Sequence, residues 1–230
     1  MNFWYRVTIG ITGTYYHLAG MKMKVLGAEN IPPGPKIIVG NHPNATDAFT
    51  LPFIIKEQII FLIEDKVFDI PVLGYIFRKA DQIPVIEGKG REALKSAIDR
   101  IRQGYTVCIF PEGKITTTHN VTHAGTGVAR LAVETGAAIL PVGFHVPAKF
   151  LKIIHGHQRG KETVGSWQVG GFCYVNIGKP LRAAFDEKIE KNYQYYHHFT
   201  NQLMEQINNL ALQAEKFSLQ KQPVSNNALA

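Results

Sequence analysis

Short apolar runs at residues 36–40, 59–63, 82–86, 106–110, 138–144 and 171–177 recur along this chain, most of them separated by enough residues for a helix. Runs of this length suit strands buried on both faces, and strand–helix alternation predicts a mostly parallel central sheet flanked by helices, an α/β fold. Leu94, Ala97, Ile98 and Ile101 recur at i, i+3, i+4 and i+7, which puts them on one face of a helix, and residues 128–134 read as another. Ile189, Tyr193, Tyr196, Leu203, Ile207, Leu210, Ala214 and Phe217 continue at helical steps and predict a long C-terminal helix covering the core.

No Ser/Gly/Pro-rich linker divides the 230 residues, so one domain is expected over 21–218, with a flexible polar tail over 219–230. Residues 1–20 are set apart by Phe3, Trp4, Tyr5, Val7, Ile9, Ile11, Tyr15, Tyr16 and Leu18 around a lone Arg6. Thr, Gly and His interrupt them short of the ~20 clean apolar residues of a spanning helix. An N-terminal membrane-interface segment is the expectation, with a helix packed on the domain as the alternative. A single charge and no cleavage site argue against a signal peptide.

The net charge of +7 points to an anionic partner: a phospholipid surface, a phosphate-bearing substrate or nucleic acid. Nucleic acid ranks last, because the basic residues are scattered and no recognition motif accompanies them. Cys108 and Cys173 fall within apolar runs without metal-ligand spacing and read as buried thiols of a reducing compartment. His155 and His157 lack further ligands, so no metal is expected.

The chemistry begins where the first run ends, in Asn41-His42-Pro43-Asn44-Ala45-Thr46-Asp47. Five residues of regular helix turn by about 500°, so His42 and Asp47 would not share a helical face. Pro43 pushes His42 toward extended geometry and itself suits a first helical turn, which lets the imidazole fold back toward Asp47. A carboxylate there would hold one ring nitrogen protonated and leave the other to take a proton from a hydroxyl. This is a base and its orienter without a nucleophilic serine, so the acceptor hydroxyl would itself attack. A capped, buried turn is the bland alternative. The run at 106–110 ends in Pro111-Glu112-Gly113-Lys114, and loops leaving the carboxyl ends of parallel strands can converge on one crevice.

From Asn41-His42 to Asp47, through Gly74-Tyr75-Ile76-Phe77 with Ile83-Pro84-Val85 and Phe110-Pro111-Glu112-Gly113, to Ile139-Leu140-Pro141-Val142-Gly143, the chain resembles the glycerolipid acyltransferases typified by lysophosphatidic-acid acyltransferase. The resemblance implies phospholipid biosynthesis: transfer of a fatty acyl group from acyl-CoA or acyl-carrier protein to a lysolipid hydroxyl. With the aromatic N-terminus and the two buried thiols, the expected place of work is the cytoplasmic face of a membrane, by peripheral or monotopic attachment, and no resident cofactor is expected. The resemblance makes His42 the general base, Asp47 its partner, and Asn41, Glu112, Gly113 and Lys114 residues of the acceptor site, with Gly113 a candidate oxyanion donor.

Two positions depart from the family pattern. Ile115 and Glu87 stand where relatives that accept a phosphate usually carry arginine, and neither can bind phosphate as a guanidinium does. Lys114, Lys89, Arg91 and Arg130, with Arg78 and Lys79, are the candidate replacement cations, each with a solvated surface charge as its alternative. A basic loop of Lys149, Lys152, His155, His157, Arg159 and Lys161 could receive anionic lipid, a coenzyme phosphate or a carrier protein. Residues 116–120 read as a polar loop that lines the site or connects to the next helix. An acceptor without a phosphomonoester, such as an aminolipid, and a non-catalytic lipid-binding role are the competing readings.

Overall fold

A computed structural model describes residues 1–116, 124–183 and 193–220. The chain runs through α1 (Phe3–Leu18), β1 (Met21–Leu26), β2 (Lys36–Gly40), α2 (Asp47–Ile54), β3 (Ile59–Glu64), α3 (Leu73–Lys79), β4 (Ile83–Val85) and α4 (Gly90–Arg102). It continues through β5 (Thr106–Ile109), α5 (Gly127–Thr135), β6 (Ala138–His145), β7 (Leu151–Gln158), β8 (Lys161–Gln168), β9 (Gly171–Ile177) and α6 (Tyr193–Gln220). Every apolar run expected to be a strand is one, with ends differing by at most one residue.

The central sheet has the order β1-β9-β6-β2-β5-β3-β4. Neighbours from β6 to β4 are parallel, β9 is antiparallel to β6, and β1 lies parallel to β9 at the edge. The alternating side chains of β2 explain the two-layer core. Ile37 and Val39 face α4, α5 and α6, in a cluster with Ile98, Leu131 and Ile207, whereas Ile38 faces Leu51 and Tyr5 of α2 and α1. Lys36, 1% exposed, is neutralised by Glu57, which also accepts a 2.6 Å hydrogen bond from the Thr106 hydroxyl.

Helix α1 has its N-terminus capped by Asn2, whose side chain accepts from the Tyr5 N–H at 2.7 Å. One face is sunk in the domain, with Tyr5, Thr12 and Tyr16 buried and the Tyr5 phenol pushed up to about 12 by burial. The opposite face leaves Phe3, Ile11 and Leu18 exposed. Among the described residues no helix is long and apolar enough to cross a membrane.

The structure departs from the sequence expectation in several places. The basic loop is a β-hairpin, β7 paired with β8 from Leu151↔Gln168 to Gln158↔Lys161. Its Lys and His residues had masked the alternation of a ribbon. Strand β1 was not expected, although Lys22 and Lys24 alternate with Met21, Met23 and Val25; both lysines lie over Phe172, and their charge suits an edge strand. Tyr193, expected on the buried face of α6, is 65% exposed. Helix α6 extends through Gln220, into the first residues of the expected tail. Ile189, residues 117–120 and residues 221–230 lie outside the described residues.

Candidate active site

Strands β2 and β5 pair in parallel with Val39 opposite Ile109, so the residues three positions further on, His42 and Glu112, leave the sheet side by side. The two loops are then stitched together. The His42 N–H donates to Glu112 Oε1 at 3.1 Å, and the Thr116 N–H donates to the His42 carbonyl at 2.9 Å.

His42 stands before α2 and Asp47 begins it, which brings His42 Nδ1 to 3.3 Å from Asp47 Oδ2. Asp47 is fully buried, and its other contacts come from Asn44: the backbone N–H donates to Oδ2 at 2.9 Å and Nδ2 to Oδ1 at 2.6 Å. Asn44 is itself fixed by accepting from the Thr46 N–H at 2.9 Å and from the Thr46 hydroxyl, an Asx turn. Burial pushes the Asp47 carboxyl above its usual range, and the donors from His42 and Asn44 oppose that push.

Phe110 stacks on the His42 ring at 4.1 Å between centroids and 13° between planes. The imidazole is thereby held between an aromatic wall and a carboxylate. Its side chain keeps 17% exposure, and Nε2 makes no hydrogen bond among the described residues, so that nitrogen is free for a substrate proton.

The other candidate residues separate by surroundings. Both amide atoms of Asn41 are spent on Phe144 of β6, donating to its carbonyl at 3.0 Å and accepting from its N–H at 2.7 Å. Its place is structural, holding the start of the His42 loop to the sheet. Glu112 is raised above the usual carboxylate range by burial, opposed by the Thr116 hydroxyl and the His42 N–H. Gly113 adopts φ 66°, where a side chain would be strained, and its N–H closes a turn onto the Phe110 carbonyl at 3.1 Å. That bond occupies the expected oxyanion donor. Lys114 is exposed on the same turn.

Arg130 lies on α5 with its guanidinium 4.5 Å from the centre of the Tyr196 ring of α6, in the layer opposite α2. Lys89 and Arg91 are exposed before and at the start of α4, Lys89 within 3.9 Å of Glu92. Arg78 donates to the Phe68 carbonyl at 2.9 Å and Lys79 lies over Tyr75. Asn44 and the Phe110 stack are the contributors to the site that the sequence reading did not single out, whereas Thr116 was read as part of a polar loop lining it. The Asn-x-Thr spacing at 44–46 was the available signal for the first.

The fold and the dyad define a class, and the sequence comparison names it: residues 22–145 match the acyltransferase family model, and the chain belongs to that family. It is 31% identical over 129 residues to a 1-acyl-sn-glycerol-3-phosphate acyltransferase of Borreliella burgdorferi, an alignment covering 54% of this chain and 52% of that protein. It is also 31% identical over 115 residues to a lyso-ornithine lipid O-acyltransferase of Rhodobacter capsulatus, covering 48% of this chain and 37% of that one. The chain thus spans about half or less of these relatives' own length. The crystal structure of the 1-acyl-sn-glycerophosphate acyltransferase PlsC of Thermotoga maritima has the same fold, at TM-score 0.66 and 19% identity over 96% of this chain and 81% of that one.

Proposed function

We propose that the chain is an acyltransferase that moves a fatty acyl group from an acyl thioester, of coenzyme A or acyl-carrier protein, to a hydroxyl of a lysophospholipid such as 1-acylglycerol-3-phosphate. The observation that carries this reading is the His42–Asp47 pair, 3.3 Å apart, with Nε2 left free at the end of β2. In the proposed step Nε2 takes the acceptor hydroxyl proton as its oxygen attacks the thioester carbonyl. Collapse of the tetrahedral intermediate expels the thiolate, which recovers the proton from His42. Asp47 keeps Nδ1 protonated throughout. A small apolar cavity of about 50 Å³ between α1, α2, β3 and α3 is lined by Ile9, Ala48, Phe49, Phe61, Ile63 and Phe77, and has room for a few methylene groups of an acyl chain. The free, buried thiols of Cys108 and Cys173 and the aromatic α1 support work at the cytoplasmic face of a membrane.

A second reading has its own observation. Ile115 and Glu87 replace the expected arginines, and Arg130 is engaged with Tyr196 in the other layer. An acceptor without a phosphomonoester, such as an aminolipid, needs no such arginines, and one similar protein is a lyso-ornithine lipid O-acyltransferase. Competition between lysophosphatidic acid and a lyso-aminolipid for labelled acyl-CoA separates the two. Preference for the former supports the phosphate acceptor, and preference for the latter replaces it.

A further inference from the structure

The adjacent tyrosines of α1, Tyr15 and Tyr16, reach the two elements that hold the His42 loop, β8 and α2. Tyr15 donates to the Gln168 carbonyl of β8 at 2.6 Å, and earlier on that strand the Ser166 carbonyl accepts from the Ala45 N–H at 2.8 Å. Tyr16 turns instead to α2, where its hydroxyl bonds to the hydroxyl of Thr50. The rings of Tyr16 and Phe53 lie 5.1 Å apart and pack the two helices around this bond.

Thr50 passes the contact on. Its single proton is directed to the Thr46 carbonyl at 3.3 Å, so its oxygen is the acceptor and the Tyr16 phenol the donor. Thr46 donates from its own hydroxyl to Asn44 Oδ1, Asn44 Nδ2 donates to Asp47 Oδ1 at 2.6 Å, and Asp47 Oδ2 lies 3.3 Å from His42 Nδ1. Every proton on this path points away from α1 and toward the carboxylate. Tyr16, Thr50, Thr46, Asn44 and Asp47 are all buried, where each bond is costly to leave unmade. The thiol of Cys173 also meets the Thr50 hydroxyl. Burial pushes the Tyr16 phenol above its usual range, so it remains a protonated donor.

We propose that Tyr16 is a positioning residue of the acyl transfer: its phenol fixes Thr50 and, through Thr46 and Asn44, the carboxylate that orients His42. Helix α1, set apart in the sequence by its aromatic residues, thereby supports the His42–Asp47 pair from inside the domain. Tyr15 holds the same helix against β8, which fixes the start of the path. This role rests on the acyltransferase reading for the reaction it serves, but the coupling of Tyr16 to His42 belongs to the fold and can be measured without turnover.

The test compares Tyr16→Phe, which keeps the ring against Phe53, with Thr50→Val, which keeps the side-chain shape, and with the double variant. Each full-length protein is assayed well below its Tm on a water-soluble short-chain lysolipid, with the acyl donor that the wild type uses. Each single variant should lower kcat about 3- to 10-fold, the worth of one hydrogen bond expressed as a rate, with the acceptor KM unchanged. The double variant should lose no more than either alone, because both cut one path. The nitrogen resonances of the His42 ring, assigned by their absence in His42→Ala, report the tautomer directly. In the wild type at alkaline pH Nδ1 carries the proton, and both single variants move the resonances toward the average of the two tautomers. Phe53→Leu loosens the same helix contact without cutting the path, so it should lower Tm and leave kcat and the His42 resonances in place. Wild-type kcat with unchanged His42 resonances in folded Tyr16→Phe, losses that multiply in the double variant, or an equal loss of kcat in Phe53→Leu overturns the role of Tyr16. No acyl transfer by the wild type to any lysolipid, with His42 resonances that still respond to Tyr16→Phe, overturns the enzymatic reading and leaves the positioning of His42 by Tyr16 standing.

Discussion

Nδ1 of His42 lies 3.3 Å from Oδ2 of Asp47 because the histidine stands in the turn before the helix that the aspartate begins. The pair therefore depends on the turn, and the turn depends on Asn44, whose side chain binds both Asp47 and Thr46.

Removing the base or its orienter is expected to lower kcat by about 100- to 10,000-fold, the range of general acid–base catalysis, with smaller effects on the acceptor KM. Steady-state kinetics on His42→Ala and Asp47→Asn, with circular dichroism to establish folding, measure this. In Asp47→Asn an amide can present its N–H to Nδ1, which favours the wrong tautomer.

Asn44→Ala removes one hydrogen bond to a buried carboxylate and the two that Thr46 donates from its N–H and its hydroxyl. The Asn44 N–H remains to Asp47, but Nδ2 is lost, and an under-satisfied buried carboxylate costs about 1–3 kcal/mol. In a chain of this size each kcal/mol lowers Tm by roughly 2–4 °C. Thermal unfolding should show that loss together with reduced kcat.

Glu112 has a folded-state pKa raised above its unfolded value by burial. The sign follows: its protonated form is favoured by folding, so its contribution to stability is present at acid pH and is lost as pH rises through the raised value. Glu112→Gln keeps an oxygen for the His42 N–H and removes the charge. Its Tm relative to wild type should rise from acid pH toward neutrality, and a flat difference across that range would contradict the assignment.

Gly143 is where α6 rests on β6, and a Cβ there would stand 2.3 Å from the Ala211 nitrogen and 2.4 Å from the Leu210 carbonyl carbon. Both are backbone atoms that no rotamer relieves. Gly143→Ala should destabilise by about 1–3 kcal/mol or more, read as a lowered Tm in thermal unfolding.

Much of this architecture was legible because buried parallel strands carry unbroken apolar runs: residues 36–40 announce β2 by composition alone. The ribbon was not, since β7 and β8 stand outside the sheet and Lys152, His155 and His157 obscure the period-two pattern. The chemistry at His42 was legible as residue types at a spacing, and the register of β2 on β5 explains why Glu112 joins it. Its supports were not. The stacking of Phe110 and the clamp of Asn41 on Phe144 are contacts between separate loops and strands, which no local pattern announces.

The most direct test of His42 as the base of an acyl transfer is product formation identified by mass spectrometry. Wild type and His42→Ala are each incubated with acyl-CoA or acyl-carrier protein and a panel of lysolipids. The dyad predicts a lysolipid gaining one acyl group with wild type, and product reduced by at least about 100-fold with folded His42→Ala. Equal product from both proteins would contradict it.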